Sequence, residues 1–180
     1  GSRGAFLDDV AGFDPGFFGM TPLQAEAVDP QERLFLMSCW QALEDAGYGS
    51  DRLLATWARE GRDVGVFAGV TAASYHLVGF EQALAGRPQP TTTSFASVAN
   101  RVSHALGLTG PSVAVDTMCS SSLVALHSAC VSLRRGECAL ALAGGVNLDL
   151  HPSRLEVLAD RKSTRLNSSH TDISRMPSSA

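Results

Sequence analysis

Three apolar runs constrain this chain more than any other feature: Asp63–Val70 (DVGVFAGV), Pro111–Val115 (PSVAV) and Cys138–Leu148 (CALALAGGVNL). Each is short, and none shows the polar alternation of a strand with one wet face. They are expected as buried strands. The segments between them carry helical spacing. Ser94–Leu106 places Phe95, Val98, Val102 and Ala105 on one face, and Ser120–Leu133 follows the second run. An earlier helix is expected over Pro30–Ala46, with Asp29 as N-cap and Pro30 in the first position. Leu36, Cys39, Trp40 and Leu43 form its buried stripe, and Gly47 ends it. Strand, helix, strand with continuously apolar strands predicts an α/β class, its parallel sheet covered on both faces. Residues 1–22 read as an ordered loop pinned by Phe13, Phe17 and Phe18. Thr71–Ala85 is ambiguous.

Charge and cysteine usage narrow the function classes. The net charge of −4 points to neither nucleic acid nor an anionic membrane as partner. No apolar run is long and pure enough to span a bilayer, and no signal-peptide pattern is visible. Cys39, Cys119, Cys130 and Cys138 show no CxxC spacing and no nearby histidine pair. Neither a metal site nor a disulfide framework is expected, and reduced cysteines imply the cytoplasm.

The composition changes at Asp160. Residues 1–159 contain no lysine, and the sole lysine, Lys162, lies in the Ser-rich stretch that follows. That stretch has no periodicity with which to bury a face, so disorder is expected over 160–180. DRKSTRLNSSH resembles the translation of a common sequencing adapter, and ISRMPSSA resembles a later part of it in another frame. We therefore read 160–180 as a non-native tail, and 1–159 as an internal slice of a longer domain.

The helix after PSVAV is unusual. No formally charged residue stands between Asp116 and Arg134, so burial on most sides is expected. Arg134 and Arg135 suit its C-terminal end, and Gly136 closes it. Cys119 lies where the strand turns into this helix. Such a turn can hold a nucleophile clear of the sheet, as the hydrolase elbow does for serine. A helix N-terminus also offers free N–H groups and positive potential, a setting that favours thiolate, the reactive form. Those donors would support the oxyanion of an acyl thioester. Ser120, Ser121 and Ser122 are small enough to let substrate approach. On position alone, Cys119 as nucleophile and Cys119 as a small buried residue are equally good readings. Cys39, Cys130 and Cys138 read as core. His127, eight residues on, is roughly 12 Å along the helix and out of direct reach. Spacing does not place His76, His104 or His151. The Gly144-Gly145 pair matches no nucleotide loop and reads as a site of close backbone packing.

Several segments then carry a resemblance. VDTMCSSSLVALHSAC (Val115–Cys130) resembles the active-site signature of the β-ketoacyl synthases. Phe17–Tyr48, with its DPQER, resembles an upstream stretch of the same family. So do DVGVFAGV, SFASVANRVSHALGLTGPS (Ser94–Ser112) and ALALAGGVNL (Ala139–Leu148), in the family's order. The chain is identified as resembling a polyketide-synthase ketosynthase over residues 1–159. The resemblance implies a partial thiolase-like fold, layered α/β/α/β/α in full and present here as the N-terminal half only. It implies decarboxylative Claisen condensation, with Cys119 as the acyl-accepting nucleophile. Acyl carrier protein is the implied partner, the intact domain a homodimer, and no metal or organic cofactor is implied.

Met118 stands where the family commonly has alanine, and His104 where it has tyrosine. TMCSSSL together with NLDLHPSR (Asn147–Arg154) resembles the branch served by free-standing acyltransferases. The family's two catalytic histidines belong to later motifs, HGTGT and a GH-containing loop, and neither motif occurs here. The slice is therefore expected to be inactive by itself. Competing readings are a fatty-acid or polyunsaturated-lipid ketosynthase, a non-elongating ketosynthase that only passes acyl chains on, and a docking or dimerisation module.

Overall fold

A computed structural model describes residues 6–49, 56–57, 59–61 and 63–153. The expected tail, 160–180, lies outside the described residues. Two compact units divide the chain, 1–148 and 149–180, and the architecture below is that of the first.

Its centre is a parallel sheet of three strands, β1 (Val64–Val70), β2 (Ser112–Val115) and β3 (Leu140–Val146), in the order β2-β1-β3. The register pairs Gly69 with Val115 on one side and with Gly145 on the other. All three strands therefore end at the same edge. The helices named among the described residues are α1 (Pro22–Ala27) and α2 (Pro30–Asp45) before the sheet, α3 (Tyr75–Leu84) and α4 (Phe95–Ala105) between β1 and β2, and α5 (Ser121–Arg135) between β2 and β3. The α/β class with a parallel sheet is as expected, and the ambiguous stretch after β1 supplies α3.

The two faces of β1 differ in kind. Val66, Ala68 and Val70 pack into one cluster with Phe35, Leu36 and Cys39 of α2 and Val98, Ala99 and Val102 of α4. The other face presents Gly65, Phe67 and Gly69. Phe67 clusters with Ala125 and Ala129 of α5. The buried residues of α5 are Ser121, Ala125, Ala129 and Ser132, all small and three or four apart. Small side chains meeting glycines bring this helix close to the sheet.

Two expectations about burial need correction. Only β1 is buried throughout; β2 and β3 are edge strands, and Val113 is 38 % exposed. An apolar run does not distinguish a central strand from an edge strand, because that depends on what packs alongside. Likewise α5 is covered on one side rather than on most. Leu123, Leu126 and Leu133 stand 70, 51 and 41 % exposed, on the side away from the sheet. The missing charges predicted a second cover that the described residues do not supply.

The helix boundaries follow local chemistry. Asp29 caps α2, its Oδ1 accepting from Gln31 N at 2.9 Å. Gly47, at φ +81°, follows the helix in the left-handed region. Trp40 is only partly buried and packs edge-on against Phe17, which in turn meets Phe18. The aromatic pins expected in the opening loop are thus present. The loop does not run as far as expected, because α1 follows it directly. Thr21 and Gln24 form a reciprocal capping box at its start.

Candidate active site

Cys119 sits in a short 3-10 turn, Met118–Ser120, between the end of β2 and the first residue of α5. It is exposed, whereas Cys39 and Cys138 are buried and Cys130 is half-buried. Burial pushes the Cys39 thiol up to about 12, which keeps it protonated and inert. Of the four cysteines, Cys119 is the accessible one.

The turn is held in an uncommon shape. Met118 has φ +58° and is the only described non-glycine residue with positive φ. A side chain in that region costs energy, and the surroundings must hold it there. The hydroxyls around it do so. Ser121 Oγ accepts from Thr117 N at 2.8 Å and donates to Met118 O at 2.7 Å. Ser120 Oγ donates to Thr117 O at 2.8 Å, and Asp116 Oδ1 accepts from Met118 N at 3.0 Å. This revises the reading of the serines as mere room for substrate. Ser121 is 4 % exposed and serves as an internal brace.

The sheet beneath supplies the second constraint. A Cβ at Gly69 would lie 2.7 Å from Ser121 C and Ser122 N. One at Gly145 would lie 3.0 Å from Ser122 Cβ. Both glycines let the first turn of α5 rest on the strand ends. Gly144 points the other way, where its Cβ would meet the Phe35 ring at 3.3 Å. Close packing at the Gly144-Gly145 pair, expected from sequence, is thus present on both faces.

None of the histidines of this unit is brought onto the turn by its element. His76 lies on α3, His104 on α4 and His127 on α5, all exposed. His151 belongs to the second unit, where its Nδ1 lies 2.7 Å from Ser153 Oγ.

Sequence reasoning missed a polar cluster under the same sheet edge. Asp29, Gln31 and Glu32 are all nearly inaccessible, at 2, 1 and 0 %. Gln31 Nε2 donates to Ala72 O at 2.7 Å, and Gln31 Oε1 accepts from Leu148 N at 2.9 Å. Arg101 Nε donates to Glu32 Oε2 at 2.5 Å. Burial raises the Glu32 carboxyl above its ordinary range, outweighing the opposing pull of Arg101. Burial likewise raises Asp29, against the hydrogen bonds from Gln31 and Thr93. Three polar residues in sequence at the start of an apolar helix were the available signal, since such a group is buried only when it is bonded.

A family model described as the β-ketoacyl synthase N-terminal domain matches residues 1–175. The chain belongs to the β-ketoacyl synthase family. Among curated relatives, polyketide synthase ThaG of Burkholderia thailandensis is 57 % identical over 159 residues, covering 88 % of this chain and 3 % of its own length. Polyketide synthase PksL of Bacillus subtilis is 55 % identical over 152 residues, covering 84 % and 3 %. The oxazolomycin ketosynthase domain OzmH KS7 of Streptomyces albus superposes with a TM-score of 0.79 at 50 % identity, over 88 % of this chain and 27 % of that structure. The ketosynthase from module 6 of the bacillaene synthase of Bacillus subtilis gives 0.73 at 37 %, over 87 % and 25 %. The chain is thus a fragment of a polyketide-synthase ketosynthase domain, spanning about a quarter of the solved ketosynthase structures. No helix among its described residues is long and apolar enough to cross a membrane.

Proposed function

We propose that Cys119 is the acyl-accepting nucleophile of a ketosynthase that extends polyketide chains by decarboxylative Claisen condensation. One observation carries this reading: Cys119 is the exposed cysteine, on a braced strand-to-helix turn at the sheet edge where all three strands end. In the first step the Cys119 thiolate attacks the carbonyl of a carrier-protein thioester. A new C–S bond forms, and the carrier's thiolate departs and takes up a proton. The amides of Thr117 and Met118 are engaged inside the turn. We therefore assign the N–H of Cys119 as the donor nearest the developing oxyanion. In the second step a malonyl thioester loses CO₂, and its carbanion attacks the acyl group. The product thioester forms and the Cys119 thiolate is released.

The partner class is acyl carrier protein, and we place the work in the cytoplasm, where four free cysteines stay reduced. Condensation belongs to the longer domain, as a homodimer, because the histidine motifs of the family are not among these 180 residues. Taken alone, residues 1–159 bear the nucleophile without its partners. The test is incubation of the full-length parent polypeptide with an acyl N-acetylcysteamine thioester, followed by peptide mass analysis. The acyl group is expected on the Cys119 peptide and absent from Cys119→Ala. Acyl on another cysteine, or on none, would sink the assignment.

A further inference from the structure

Gln31, near the start of α2, is 1 % exposed. Its side-chain amide is used at both ends, by chain segments 41 and 117 residues away. Nε2 donates to Ala72 O, two residues beyond the end of β1. Oε1 accepts from Leu148 N, two residues beyond the end of β3. The two loops also meet directly, Thr71 Oγ1 lying 3.4 Å from Asn147 Oδ1. Asp29 Oδ1 fixes the start of α2 by accepting from Gln31 N. One side chain therefore sets the backbone of both loops, the one that leaves the central strand β1 and the one that leaves the edge strand β3.

These loops share an edge with the turn that carries Cys119. Gly69 is in register with Val115 and with Gly145, so β1, β2 and β3 end level with one another. Beyond that level lie Thr71–Ala72, Asp116–Cys119 and Asn147–Leu148, in adjacent positions along the sheet. In open parallel sheets ligands bind outside the carboxyl ends of the strands. An acyl group delivered to Cys119 has to lie against whatever borders it there.

We infer that Gln31 is a positioning residue for acyl transfer, holding the loops after β1 and β3 in the conformation that borders Cys119. It does not touch the reacting atoms. It acts through Ala72 and Leu148, and its loss misplaces the walls of the site rather than the thiol. The inference rests on the assignment of Cys119 as the acyl acceptor. A displacement of about 1 Å at such walls costs on the order of 10²-fold in rate.

The experiment uses the full-length parent polypeptide with Gln31→Met, which keeps length and loses both hydrogen bonds to the loops along with the 3.5 Å one to Asp29 Oδ2, and Gln31→Glu. The glutamate keeps the acceptor for Leu148 N and, when ionised, loses the donor to Ala72 O. Two rates are measured for each: acylation by a long-chain acyl N-acetylcysteamine thioester, with its KM and kcat, and alkylation of Cys119 by iodoacetamide. The expected result is roughly a ten- to hundred-fold loss in acylation, with alkylation changed less than about two-fold. Measured against the unmodified polypeptide at the same pH, which cancels the protonation of the Cys119 thiolate, Gln31→Glu should regain relative acylation as the pH is lowered and its protonated carboxyl again donates, with the Asp29 carboxylate beside it. Equal losses in both rates, acylation at the parental rate in soluble Gln31→Met, or a relative acylation of Gln31→Glu that does not change with pH, would overturn the inference. A Gln31→Met chain that does not fold leaves Gln31→Glu and its pH dependence to decide. Absence of acylation in the unmodified polypeptide would instead remove the assignment of Cys119.

Discussion

Gly69 and Gly145 face each other across neighbouring strands, and Ser122 at the start of α5 lies against both. Neither position has room for a methyl group without moving helix or sheet. The turn that presents Cys119 is therefore placed by what two strands lack. The ends of β1 and β3 act as a flat seat for the helix, and the hydroxyls of Ser120 and Ser121 then shape the connection from β2.

A methyl group at Gly69 should be the most costly change at this seat. Gly69→Ala is expected to destabilise the domain by about 1–3 kcal/mol, because the added atom meets backbone, which cannot swing aside. Gly144→Ala should cost less, since its neighbour is the edge of the Phe35 ring at 3.3 Å. Denaturant midpoints of the two variants, measured side by side, check the order.

Ser121→Ala removes the two hydrogen bonds by which Ser121 Oγ braces the Met118 turn. Thr117 N then loses its acceptor in a part-buried hydrogen bond, a loss of about 1 kcal/mol. Replacing exposed Ser120 should cost less, because water can reach its former partners. Alkylation of Cys119 should also lose its uniform rate in Ser121→Ala, as the turn samples more than one shape. Thermal melts and single-turnover alkylation traces would show whether it does.

The four cysteines should separate by accessibility. Under native conditions iodoacetamide is expected to modify Cys119 first and Cys39 last, the latter only after unfolding. Peptide mass analysis over a time course gives the order. Early labelling of Cys39 would contradict the packing of α2 against β1.

Asp29 and Glu32 give stability a definite pH dependence. Their folded values lie above the unfolded ones of 3.8 and 4.5, because burial disfavours the charged form. As pH rises past the unfolded values, the native state still holds protons that the unfolded chain has released. Stability therefore falls through that window, and the loss is complete above the folded values. Below the unfolded values the contribution is whole. Glu32→Gln should show a smaller decline in Tm between about pH 4 and about pH 7 than the unmodified chain. An unchanged slope would contradict the burial of Glu32 as the cause.

Much of this was readable in the residues. The run VGVFAGV read as a buried strand, since no face of it could meet water, and β1 is buried throughout. Asp29-Pro30 marked a helix start by capping chemistry alone, and Gly47 and Gly136 marked ends. The position of Cys119 followed from a strand running into a helix. What was not readable depended on partners far along the chain. Nothing local in Gln31 announces Ala72 and Leu148 as its acceptor and donor. Nothing in PSVAV shows that it is an edge strand. The α1 helix was missed although Thr21 and Gln24 spell a capping box, because Gly19 and Pro22 beside it suggested loop. The serines after Cys119 were read by size when their hydroxyls mattered more.

The bare leucines of α5 bear on how this chain behaves in a tube. Folding of residues around the sheet is unimolecular, and its rate does not depend on how much protein is present. Covering Leu123, Leu126 and Leu133 requires another surface, and in a solution of this chain the nearest such surface is another molecule. That encounter is second order. The yield of soluble chain should thus fall as concentration rises, at a temperature where the fold itself is intact, and dilution rather than cooling should rescue it.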